Sequence, residues 1–143
     1  FDTLCHHFPN DFTKEFETLN KWVQSRQAIY IIWSLEGEVN NGGFNQFYCN
    51  PSGQYANLLP DALRLIKAPK FANLMERANA TSKEDFAIIT KYIDGSLEGF
   101  SKSYKDNPLN KFDDEFYALY QTEDLQKLQL EFVRQNKQDF VGN

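Results

Sequence analysis

Cysteine is scarce in this chain of 143 residues. With only Cys5 and Cys49, at most one bridge can form and no disulfide framework carries the fold, which predicts a reducing, cytoplasmic setting. Long apolar runs are also missing. The longest, Ala28 to Trp33, falls far short of the roughly 20 residues of a membrane span, so a soluble protein with no membrane partner is predicted. Basic residues are in deficit, 15 against 20 acids, and the net charge of -5 argues against direct binding to nucleic acid. Nucleophile-elbow, phosphate-loop and zincin motifs do not occur, and neither a cofactor nor a catalytic role is predicted. Cys5-His6-His7 lacks the spaced third and fourth ligands of a tetrahedral site, so no metal is predicted. Cys49 lies between aromatics with no histidine near it in sequence and reads as a small buried hydrophobe. What the chain has in quantity is apolar and aromatic side chains, 41% and 15% of its residues. That is enough for one folded domain over 1–143 burying roughly 68 to 70% of its unfolded surface.

Apolar residues recur at helical spacing. Phe12, Phe16, Leu19 and Val23 form one stripe, and Trp22, Ile29 and Trp33 another. Tyr55, Leu58, Ala62 and Ile66 follow, then Phe71, Leu74, Met75 and Ala78, then Phe86, Ile89 and Ile93. Leu97, Phe100 and Tyr104, the Phe112–Tyr120 face, and Leu125, Leu128, Phe132 and Val133 complete the series. Asn10 and Thr122 are placed as N-caps, Thr81 with Glu84 as a capping box, and Asn107-Pro108 as a turn. The prediction is an all-α single compact domain of about eight helices. A local hairpin competes between Ile29 and Cys49, with Asn40-Asn41-Gly42-Gly43 as its turn, but Leu35 to Val39 does not alternate as a returning strand must.

The segment from Leu35 to Asn50, with its Asn41-Gly42-Gly43-Phe44-Asn45-Gln46-Phe47 core, followed by Ser52-Gly53, resembles the signature of a bacterial DNA-mimic protein family. The resemblance covers roughly residues 20 to 140, including Asp113-Asp114-Glu115-Phe116-Tyr117. It departs at Ile66-Lys67-Ala68, where a glycine is expected before the alanine, and at Pro60, inside a helix that usually lacks one. The resemblance implies an all-α homodimer acting as an acidic regulatory protein, whose surface imitates duplex DNA and occupies the DNA-binding face of a helix-turn-helix transcription factor.

On a continuous helix Glu38, Gly42, Gln46 and Asn50 share one row, leaving a glycine notch that a ligand or another chain could enter. The plainer reading makes Glu38, Asn41, Gly42, Gly43, Phe44, Gln46, Phe47 and Asn50 a structural signature whose amides satisfy buried backbone groups. If the stretch is a turn, glycine supplies positive φ. Carboxylates for a partner-binding stripe are Glu36, Glu38, Glu76, Glu84, Asp85 and Asp113, with Asp114, Glu115, Glu123 and Asp124 adding density. Several of these also suit first helical turns, where they complement the helix dipole. Glu17–Lys21, Glu98–Lys102 and Glu123–Lys127 are expected helical pairs. Two other functions remain open: an immunity- or antitoxin-like protein covering a basic partner, and a small-ligand binder or enzyme using the Glu38/Asn41/Gln46/Asn50 notch.

Overall fold

The computed structural model describes residues 11–141, which are α-helical without a strand. The Asn10 cap and the Cys5-His6-His7 cluster lie outside the described residues. α1 (Asp11–Leu19) leads into the long α2 (Gln24–Cys49), and a 3₁₀ turn (Pro51–Tyr55) follows. Then come α3 (Leu59–Leu65), α4 (Pro69–Glu84), α5 (Phe86–Ile89), α6 (Leu97–Lys102), α7 (Asn110–Leu119), α8 (Leu125–Gln135) and α9 (Lys137–Phe140). The predicted all-α class holds, with nine α-helices among the described residues rather than about eight; two of them are single turns.

α2 is the central element, packing against the 3₁₀ turn, α3, α7 and α9, while α4 bridges α3 and α7. Its inward stripe Ala28, Ile31, Ile32, Leu35 and Val39 is buried, as are Phe44, Phe47 and Tyr48 beyond it. Phe71 and Phe116 meet Tyr120 edge to face, giving the core the aromatic character that the composition implied. The hairpin alternative is excluded: residues 24–49 are helical apart from one break, at Gly42 and Gly43.

Several local expectations changed for identifiable reasons. Thr81 does not open a helix; it lies in the last turns of α4, because the stripe Phe71, Leu74, Met75, Ala78 continues to buried Ser82. Asp124, not Thr122, caps α8, accepting from the Lys127 amide, while the Thr122 hydroxyl turns back to the Leu119 carbonyl. Pro60 occupies the first turn of α3, where its missing N–H breaks no bond. At Lys67 the expected glycine position is real: φ is +68°, and the Ala68 and Lys67 amides donate to the Leu63 and Arg64 carbonyls in a Schellman-type ending. Of the helical ion pairs only Glu98–Lys102 forms, at 3.1 Å. Lys21 falls beyond the end of α1, and Glu123 is turned toward α4.

Candidate functional site

The break in α2 is where sequence and chemistry converge. Gly43 has φ +76° and ψ -177°, a conformation open essentially to glycine alone, so the helix stops and restarts at Phe44. A break exposes backbone groups inside a packed core, and each requires a partner. The Phe44 amide donates to Asp113 Oδ1 at 2.7 Å, the Gly42 carbonyl accepts from the Tyr104 hydroxyl at 2.6 Å, and the Val39 carbonyl accepts from the Tyr117 hydroxyl at 2.8 Å. Three side chains from α7 and the segment before it thus repair the kink.

The glycine notch is not open. A Cβ at Gly42 would lie 2.0 Å from Gln46 Oε1, because the Gln46 side chain already occupies the space. Gln46 Nε2 and Asn50 Nδ2 both donate to Glu38 Oε2, at 2.8 and 2.9 Å, and Asn41 Nδ2 reaches Gln46 Oε1 at 3.3 Å. Glu38, Asn41, Gln46 and Asn50 are therefore one closed network across the break. Below it, fully buried Asn45 donates to Ser103 Oγ at 2.8 Å and accepts from Asn107 Nδ2 at 3.1 Å, pinning the Asn107-Pro108 turn to α2.

The ten predicted carboxylates divide sharply. Glu36 Oε1 accepts from the Tyr120 hydroxyl at 2.6 Å, and its Oε2 accepts from Gln129 Nε2 at 2.8 Å. Glu38 and Asp113 belong to the kink as described. Glu76 pairs with Arg64 of α3 and Glu115 with Arg77 of α4, partners too distant in sequence to be seen by helical spacing. Glu123, 9% exposed, accepts from the Lys70 and Phe71 amides and so caps α4 in trans. Asp124 caps α8. The side-chain carboxylates of Glu84, Asp85 and Asp114 accept no hydrogen bond and form no ion pair among the described residues.

Four of the ten lie on the packed pair α2 and α7, Glu36 and Glu38 on the first and Asp113 and Asp114 on the second. Burial first and Asp114 after it raise the proton affinity of Asp113, and burial, then Asp113 and Glu38, raise that of Tyr104. No lysine or arginine among the described residues forms an ion pair with any of the four. Their hydrogen bonds come from phenols, amides and one backbone N–H. Tyr104, Tyr117, Tyr120 and Gln129 escape sequence reasoning because the pairing of each to α2 crosses tens of residues, and Asn45 of α2 does so because its partners Ser103 and Asn107 are equally remote.

Burial lifts the Asp113 carboxyl above its ordinary range, against the lowering effect of the Phe44 amide, with Asp114 adding to the rise. The folded protein thus holds this proton more tightly than the unfolded chain. The stabilising contribution is complete below the unfolded value near 3.9 and is lost as pH rises through the folded value. Thermal melts across pH should show Asp113→Asn matching the parent at low pH and gaining on it as pH rises. A difference independent of pH would contradict this account.

A match to the family model described as DMP19-like protein spans residues 9–136. The chain belongs to the DMP19-like protein family. This corrects the expected membership: the matching model assigns the chain to that family rather than to the DNA-mimic family that the Leu35–Asn50 segment resembles, and the Asn-Gly-Gly-Phe-x-Gln-Phe signature is not part of the finding. No curated protein and no solved structure matches the chain. In this DMP19-like protein no helix among the described residues is long and apolar enough to cross a membrane. Cys49 is buried and disulfide-bonded, so it is not a thiol nucleophile.

Proposed function

We propose that this DMP19-like protein is a non-catalytic regulatory binding protein, whose α2–α7 face covers the basic surface with which a helix-turn-helix transcription factor contacts DNA. One observation carries the reading: on the packed pair α2 and α7, Glu36, Glu38 and Asp113 are oriented by neutral donors and Asp114 stands exposed beside Asp113, and no cation among the described residues forms an ion pair with any of the four. A partner's arginines and lysines, shaped to meet phosphates, find carboxylates held in place at little entropic cost. The closed Gln46 network weighs against the small-ligand alternative. A homodimer would double this acidic face; light scattering decides that.

A low-salt pull-down from host lysate, repeated with excess duplex DNA, tests the reading. The expected result is capture of a helix-turn-helix protein that DNA releases and whose affinity falls steeply with salt. With that partner, Asp114→Lys should leave stability within about 0.5 kcal/mol and weaken binding at least about tenfold. A captured partner indifferent to salt and DNA would sink the mechanism. The disulfide at Cys49 favours a second reading, an immunity-like protein covering a basic toxin or nuclease, since disulfides persist in oxidising compartments rather than in the reducing cytoplasm where a transcription factor works.

A further inference from the structure

Of the stripe Trp22, Ile29, Trp33, the last two are on α2 while Trp22 lies in the bend between α1 and α2, and both tryptophans face outward. Trp33 is 66% exposed and Trp22 38%. With Tyr30, Phe140, Arg26 and Gln129 they line an open groove of about 420 Å³ between α2 and α9. A second lobe of similar size, reached past Trp22 and Arg26, adds Lys21, Val23 and Val141. The walls are fixed. Gln27 donates to the Leu19 and Trp22 carbonyls at the corner between α1 and α2, the Arg26 guanidinium donates to the Asp139 carbonyl of α9, and the Tyr30 hydroxyl donates to Glu15. Burial and Glu15 push Tyr30 up to about 12, so it stays a neutral phenol.

We infer that this groove docks an amphipathic helix of a partner protein, with an acidic group at one end and a basic group at the other. Tryptophan, tyrosine and arginine are the residue types that concentrate binding energy at protein interfaces. The charges along the groove set the direction. Lys21 and Arg26 outnumber Asp139 at one end; at the other, Gln129 on the groove wall donates a hydrogen bond to Glu36. From Arg26 to Glu36, α2 rises about 15 Å, the length of a ten-residue helix. A helix lying along it would present apolar side chains at i, i+4 and i+7 to Trp22 and Trp33, a carboxylate to Lys21 and a cation to Glu36. The inference shares Glu36 with the acidic-face proposal, but it rests on the aromatic walls and Lys21, and the groove can be probed without the partner of that face.

The test is selection of displayed helical peptides, free of tryptophan, against the full chain, followed by titration of the winners. Enriched peptides should carry the i, i+4, i+7 apolar pattern with an acid at one end and a base at the other. They should shift the emission of Trp22 and Trp33, the only tryptophans in the chain, and lose at least about tenfold in affinity on Trp33→Ser. Lys21→Glu should weaken them and favour peptides with a base at that end. Enrichment unaffected by Trp33→Ser, or peptides without the pattern, would overturn the inference, as would failure to enrich any peptide. Because Trp33 is mostly exposed, its serine variant keeps the fold, which an unchanged melting temperature verifies.

Discussion

Replacing Gly43 with alanine should cost about 3 kcal/mol or more. Its φ of +76° with ψ of -177° is a region that side chains avoid at a penalty on the order of 1–3 kcal/mol. A Cβ there would also stand 2.3 Å from Asp113 Oδ2, so the carboxylate would have to withdraw from the Phe44 amide. A buried donor left unpaired adds about 1–3 kcal/mol. For a chain of this size each kilocalorie corresponds to roughly 2–4 °C in melting temperature, so a fall of about 6–12 °C is expected. Gly37→Ala is the internal comparison: it lies in the same helix with nothing within 4 Å of the added carbon, and should stabilise by about 0.5–1 kcal/mol. Equal melting temperatures for Gly43→Ala and the parent would mean that the kink is not held by the geometry described.

That comparison also marks what the sequence disclosed. Periodicity located most of the helices, because burial of one face is a local pattern that repeats every three or four residues. The glycine pair announced either a notch or a turn, and the outcome borrows from both: a break inside a helix, with the positive φ of a turn and a notch filled by Gln46. The carboxylates were visible as acids but not as partners. Asp113 answers an amide 69 residues earlier, and Glu36 answers an amide side chain 93 residues later. Neither relation leaves a trace in local spacing. Caps failed for a related reason. Thr81 had a local capping pattern, but the apolar stripe of α4 ran through it, and tertiary burial outweighs a cap worth about 1 kcal/mol. The Trp22–Trp33 stripe shows the remaining gap, since amphipathic spacing tells which residues share a face without telling whether that face is covered.

Phe44→Ala should be the most damaging single truncation at the kink, at about 3–5 kcal/mol. The side chain is fully buried, and its ring meets Phe116 at 5.8 Å and Phe112 at 6.3 Å edge to face, so it joins α2 to α7 directly. Phe44→Leu keeps most of the volume and loses the ring geometry, for which about 0.5–1.5 kcal/mol is expected. Phe86→Ala, on a ring 44% exposed, should cost much less. The consequence reaches function because Phe44 supplies both the ring that seats α7 and the amide that Asp113 holds. If α7 loosens, Asp113 and Asp114 shift relative to Glu36 and Glu38 on α2. Phe44→Leu, measured where it remains folded, should therefore weaken binding of the basic partner although no charge has changed. Unaltered affinity would show that the four carboxylates act independently of the kink that gathers them.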